Sequence, residues 1–375
     1  MSTSLSQRFT ALDVFRGLTI CLMIIVNTPG NGATSFSPLN HAAWNGFTPT
    51  DLVFPSFMFA VGNAMSFVMS KWGNMNSGQV LGKIFKRTFI IFLLGYLMYW
   101  FPFVRLDDAG HIVGAPISET RIFGVLQRIA LAYCAASLMI YFLKPRTSAI
   151  ICIIILIAYW PIMLYFGDAA DPLSLHGNAV LKLDTWLIGE NHLYRGEGFP
   201  FDPEGLLSTF PSIANVVAGY LVGSYVQKKG NTFEGLAKLL MAGFLLYIIA
   251  RWWNLSFPIN KKIWTSSFVL NTVGLDCMIL ACVIYLVDFL GIKKGVYFFQ
   301  VFGRNPLPIY LLSELLVILL YMFRVGDTSL YEWLYQNIFA HAGAYTGSLL
   351  FAIAYMLLCW SVGYILDRKK IYIKV

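Results

Sequence analysis

The sequence predicts an all-α polytopic membrane protein with about ten transmembrane helices and both termini cytoplasmic, and three observations carry that expectation. Composition comes first: 58% of the 375 residues are hydrophobic and only 12% are charged, with a mean hydropathy of +0.66, which excludes an ordinary soluble domain. The second is the spacing of apolar runs. A hydrocarbon core about 30 Å thick takes roughly 17 to 25 residues per helix. Windows of that kind run near 11–28, 52–70, 88–104, 122–143, 149–166, 210–226, 236–250, 266–290, 306–323 and 347–366. The third observation is the distribution of Lys and Arg, which are retained on the cytoplasmic side.

With the N-terminus inside, cytoplasmic segments carry fifteen basic residues, from Arg8, Lys71 and Lys83 through to Lys370 and Lys374, and the opposite side carries eight. An even number of spans and two cytoplasmic termini follow. The net charge of +8 is then mostly this topological signal and not a sign of nucleic-acid binding. Residues 1–375 read as a single transmembrane domain in the plasma (inner) membrane, with extracytoplasmic loops at 28–51, 105–121, 167–209, 251–265 and 324–346. The first apolar run contains Asp13 and Arg16 and has no signal-peptide pattern, so it is expected to stay as a helix. All six cysteines fall in apolar spans without CxxC spacing, which reads as packing and predicts neither a metal site nor a disulfide framework.

All five histidines, His41, His111, His176, His192 and His341, fall in loops on the extracytoplasmic side. A solvated, inert role suits most loop histidines, but His41 has Trp44, Asn45 and Asp51 close by, which suggests chemistry. Charges inside the spans are a second signal, because an ionisable group at membrane depth is costly unless it is paired or faces a water-filled cavity. Asp13, Arg16 and Asn27 fall within an arc of roughly 60° on the first helix and extend over about 21 Å of its axis. Such a stripe fits a path across the bilayer, or an Asp13–Arg16 pair that only locks helices together. Gln127, Arg128, Asp276, Arg304, Asn305 and Glu314 add polar groups to other spans, with Arg128 the expected partner of Glu314 or Asp276. Pro306 and Pro308 after Gly303 predict a broken helix start. On these residues alone a transporter that makes no bond is an equally good reading.

Several blocks resemble the heparan-α-glucosaminide N-acetyltransferase family, in the same order and along essentially the whole chain. They are LDVFRG at 12–17, VN at 26–27, HAAWNGFTPTDLVFPSF at 41–57, RIFGVLQR at 121–128, LIGENHLY at 187–194, FDPEGLLSTFPSI at 201–213, PINKKIW at 258–264 and GRNPLPIY at 303–310. The resemblance is to a core without the extra leading helix and large lumenal domain of the lysosomal members. It implies a transmembrane transferase that takes acetyl from cytosolic acetyl-CoA and places it on the amino group of a glucosamine-type sugar or glycan on the other side, with no metal. It also points to a homodimer.

The family's catalytic histidine maps onto His41 and its preceding asparagine onto Asn27. His41 then acts as the base that deprotonates the acceptor ammonium, or carries the acetyl group itself. Asn27 offers an amide N–H to the thioester carbonyl or the oxyanion. Asp51 either orients His41 or caps the second helix. Trp44, Asn45, His192, Asp202, Glu204 and Lys261 are the candidate contacts for the sugar or carbonyl end. Arg16, Gln127, Arg128 and Asn305 are the candidates for the CoA end, while Lys86 and Arg87 read as ordinary cytoplasmic charges. O-acylation of a surface polysaccharide is the alternative within the same chemistry.

Overall fold

The computed structural model describes residues 10–106, 111–230 and 232–373; Arg8 and Lys374, used in the charge count above, lie outside them. Helices dominate: α1 (Thr10–Asn27), α2 (Pro49–Met69), α3 (Ser77–Trp100), α4 (Val125–Phe166), α5 (Ala179–Ile188), α6 (Leu206–Lys229), α7 (Phe233–Trp253), α8 (Ser266–Ile284), α9 (Val296–Arg304), α10 (Pro306–Met322), α11 (Leu330–Leu334) and α12 (Ala344–Arg368). Two short antiparallel hairpins, Val104–Leu106 with Ile112–Gly114 and Arg324–Val325 with Thr328–Ser329, sit in connecting segments.

Among the described residues seven helices are long and apolar enough to cross a membrane, or eight when α9 and α10 count as one span bent by 83°. That bend lies at Asn305, between Gly303 and Pro306, where the sequence predicts a broken helix. The expected windows 122–143 and 149–166 both fall on α4, a 42-residue stretch interrupted at Lys144, whose φ of 66° and ψ of 155° leave the helical region just before Pro145. Each of the ten apolar windows therefore falls mostly on helix, while the criterion of length and hydropathy yields seven or eight spans among the described residues.

Glycines set how closely the central helices approach, as expected where apolar helices must find packing without a hydrophobic contrast to lipid. A Cβ on Gly17 of α1 would lie 1.8 Å from the carbonyl oxygen of Phe299 on α9. One on Gly303 of α9 would lie 2.2 Å from the carbonyl oxygen of Asp13. Helices α2 and α6 meet in the same way, through Gly62 against the Val216 carbonyl and Gly219 against the Phe59 carbonyl, at 1.9 and 2.0 Å. The main apolar core runs through α1, α2, α4, α6 and α8. Around it α3, α7, α10 and α12 turn large apolar side chains such as Phe89, Phe244 and Leu358 outward.

Charges on these helices have partners different from the expected one. Asp276 accepts from the Ser56 hydroxyl, and Glu314 accepts from Asn27 Nδ2 at 3.3 Å. Arg128 pairs with neither. Its guanidinium lies over the Trp264 ring at 4.7 Å and donates to the carbonyls of Pro203 and Gly205 and to Ser208. The expectation failed because an arginine whose partners are backbone carbonyls and a hydroxyl looks, in sequence, the same as one waiting for a carboxylate.

Candidate active site

Thr48 and Pro49 begin α2, and Asp51 at the third helical position turns its carboxylate back over the helix start. Oδ2 accepts from the backbone N–H of Thr48 and Ala42 at 3.0 and 3.1 Å, and from the Thr48 hydroxyl. Oδ1 is left for His41, whose Nδ1 lies 2.7 Å away. The two roles that the sequence leaves open for Asp51 are thus both filled, one by each oxygen. Because an ionised carboxylate only accepts, Nδ1 carries the proton and Nε2 keeps its lone pair.

The loop that carries His41 is held by two others. Trp44 donates its indole N–H to the Leu173 carbonyl at 2.9 Å and packs edge-on against Phe201. Asn45 accepts from Asn260 Nδ2 at 3.1 Å, and the Gly46 N–H donates to the Ile259 carbonyl at 2.8 Å. From that second loop Lys261 reaches His41. Its Nζ is 3.1 Å from Nδ1 and 3.3 Å from Nε2, nearly equidistant, so it rests against the ring instead of lying in line with either lone pair. Burial lowers the pKa of Lys261 itself, against the opposing pull of Asp51 and Glu204.

His41 opens on a cavity of about 130 Å³ whose walls include Asn27, Thr50, Phe54, Glu204, Lys261 and Tyr310. Glu204 is placed by a buried cation. Arg121 forms a two-pronged ion pair with Asp202, at 2.8 and 2.6 Å, contacts Glu204 Oε2 at 2.6 Å, and is sandwiched between the Tyr99 and Tyr194 rings, 4.7 Å from each. Burial favours the neutral acid of Glu204, but Arg121, Arg128 and Lys261 outweigh it and hold its pKa below the ordinary value. A carboxylate therefore faces the same space as the His41 imidazole.

A second cavity, of about 370 Å³, lies further along the same helices. Phe57, Val61, Leu126, Ile129, Tyr133 and Leu307 give it an apolar wall, and Arg16, Arg87 and Arg304 stand on its lining. Neighbouring residues line the two cavities in turn: Phe54 and Phe57 on α2, Val125 and Leu126 on α4, Tyr310 and Leu307 on α10. Asn27 and Arg16, expected on one stripe of α1, stand one in each.

The expected site residues thus separate into two groups. His41, Asn27, Glu204 and Lys261 meet in the smaller cavity with Asp51 behind them, and Arg16 lines the larger one. The others are structural neighbours. Arg128 and Gln127 are fully buried and line neither cavity, and Asn305 ties down the C-terminal segment through Ile371 and Ile373 at 2.9 and 3.0 Å. His192 holds the Thr120 carbonyl at 2.7 Å beside Arg121, Asp202 anchors Arg121, and Trp44 and Asn45 hold the loop. Sequence reasoning missed Thr50 and Tyr310 as lining groups and assigned Arg87 to ordinary surface charge. Tyr310 closes the GRNPLPIY block, and Thr50 lies inside the block that begins at His41, so both stood within reach.

Fold and site together define a multi-pass α-helical membrane protein with a histidine–aspartate pair opening on a cavity between its helices. The family model for the catalytic region of heparan-alpha-glucosaminide N-acetyltransferase matches residues 8–253, more than half of the chain, which therefore belongs to that family. Heparan-alpha-glucosaminide N-acetyltransferase of Mus musculus is 27% identical over 99% of this chain, and that of Homo sapiens is 26% identical over 100% of it. The chain spans 61% of the length of each.

Proposed function

We propose that this protein is an acetyl-CoA-dependent transmembrane N-acetyltransferase that acetylates the amino group of an extracytoplasmic glucosamine-type sugar. The observation that carries the reading is His41, held at Nδ1 by Asp51 behind it with Lys261 beside it, on a cavity shared with Asn27 and Glu204. The names of the family and of both relatives support the reaction class.

In this reading the larger cavity receives CoA from the cytosol. Its apolar wall suits the pantetheine arm, and Arg16 and Arg87 suit phosphates. The thioester then extends past Phe57 and Phe54 toward Asn27, and the amine arrives from the opposite side. An ammonium attacks no thioester until it loses a proton, and Glu204 attracts it while His41 Nε2 takes that proton. Attack of nitrogen on the carbonyl carbon moves the C=O electron pair onto oxygen, which the Asn27 amide N–H receives. An oxyanion contact of this kind contributes roughly 3 to 4 kcal/mol. Collapse of the tetrahedral intermediate breaks the C–S bond; the His41 imidazolium protonates the departing thiolate to complete CoA, and the second proton of the attacking nitrogen passes to solvent, leaving a neutral amide. A covalent route uses the same atoms: Nε2 attacks the thioester first and then hands the acetyl group to the amine.

Purified protein mixed with acetyl-CoA and glucosamine tests the proposal. CoA release with formation of a base-stable amide is the expected result, and no amide, or undiminished release by His41→Ala, overturns it.

A further inference from the structure

We infer that Glu314 is a positioning residue for acetyl transfer, acting through Asn27. The inference rests on the transferase reading above and adds to it a residue which that reading does not use. Glu314 lies on α10, one turn beyond Tyr310, which lines the His41 cavity. Asn27 is the last residue of α1, its side chain lines the same cavity, and its Nδ2 donates to Glu314 Oε1 at 3.3 Å. A carboxylate carried on an apolar helix at this depth is unfavourable unless it has a partner and a purpose. Here its hydrogen-bond partner is the side chain set to meet the reacting carbonyl.

The chemistry of the pair gives the carboxylate a defined task. A primary amide carries two N–H donors on one side and a carbonyl acceptor on the other, and rotation by about 180° exchanges them with little change of shape. Only one orientation helps the reaction: the N–H pair must be available where negative charge develops, because a carbonyl oxygen there would repel it. Glu314 Oε1 accepts from Asn27 Nδ2, which selects the amide face with hydrogen on it. One N–H of Asn27 is then occupied by Glu314 and the other is left for the oxyanion. Polarisation by the carboxylate concerns the first hydrogen; orientation concerns both.

This role differs from simple helix packing in where its loss is felt. Glu314 does not line the His41 cavity, so its removal leaves substrate contacts in place and removes the preference for one amide orientation. The loss therefore falls on the transition state and appears in kcat, with KM for acetyl-CoA nearly unchanged.

A double-mutant cycle in the purified full-length protein tests it, with acetyl-CoA and glucosamine as substrates. Glu314→Ala is expected to lower kcat about tenfold, and Glu314→Gln, whose amide oxygen still accepts from Asn27, to recover about half of that loss on a logarithmic scale. In an Asn27→Ala background, Glu314→Ala is expected to have no further effect, since the group it orients is gone. Additive losses in the cycle, or a kcat for Glu314→Ala equal to wild type, overturn the inference. If Glu314→Ala does not fold, as judged by gel filtration in detergent, Glu314→Gln carries the same cycle, and additivity there counts against the inference equally. Absence of transfer by the wild-type protein would instead overturn the transferase reading.

Discussion

The two cavities between α1, α2, α4 and α10 differ in kind although adjacent residues line them. In the smaller, every chemically active side chain is held by another. Asp51 holds His41, Arg121 holds Glu204, Glu314 holds Asn27, and the loop at 254–265 brings Lys261 onto the imidazole. In the larger, the wall is mostly apolar and its arginines are tied outside the lining, Arg16 to Asp13 and Arg304 to Asp367, with volume about 370 Å³ against about 130 Å³. The contrast teaches where precision is needed. A flexible donor needs room and charge complementarity, whereas bond making needs reacting groups fixed to within a fraction of an ångström.

Substitutions on the two sides of this divide should therefore fail in different ways. His41→Ala removes the base and is expected to lower kcat by about 10³-fold with acetyl-CoA binding retained, measured by turnover and by calorimetric titration of the donor. A kcat within tenfold of wild type would remove the smaller cavity from the chemistry. Asp51→Asn keeps the shape but presents an amide to Nδ1 and the helix start, and about a 10²-fold loss of kcat is expected, with a lowered melting temperature from the weakened cap. Arg16→Ala acts in the other cavity. An approximately tenfold rise in KM for acetyl-CoA with kcat within twofold is expected, and a fall in kcat alone would erase the distinction between the two regions.

The smallest effect lies behind the site. Burial pushes the Asp184 carboxyl from its ordinary value of 3.8 up to about 7, against the Leu206 N–H that donates to it at the start of α6. The folded protein thus holds this proton more tightly than the unfolded chain. Its stabilising contribution is complete below about pH 4, declines as pH rises toward about 7 and is lost above that. Wild type should melt at a higher temperature at pH 5 than at pH 8 by a margin that Asp184→Asn reduces. An identical pH dependence in the two proteins would contradict the assignment.

How much of this was legible in the sequence differs along the chain in a physical way. His41, Asp51, Asn27, Glu204 and Lys261 could be found because polar residues between or within apolar runs are conspicuous and sit in recognisable blocks. Arg128 was equally conspicuous and its role was misjudged, since its partners are backbone carbonyls from the segment before α6, and carbonyls leave no trace in sequence. The partnership of Glu314 with Asn27 spans 287 residues and depends on how α10 packs beside α1, which hydropathy does not encode. The helices themselves were plain from hydropathy. Their number as spans was not, because α9 and α10 bend at Asn305 and α4 breaks at Lys144 within one long stretch.

In the proposed reaction acetyl moves through this bundle from a donor on one side to an amine on the other, by way of His41. Sealed proteoliposomes of uniform orientation, with radiolabelled acetyl-CoA on the cytoplasmic side and glucosamine only on the opposite side, measure this directly. Labelled N-acetylglucosamine on the acceptor side and free CoA released on the donor side are expected with wild type, and neither product with His41→Ala. Product formed only when both substrates share one compartment, or formed equally by His41→Ala, would contradict the proposed reaction.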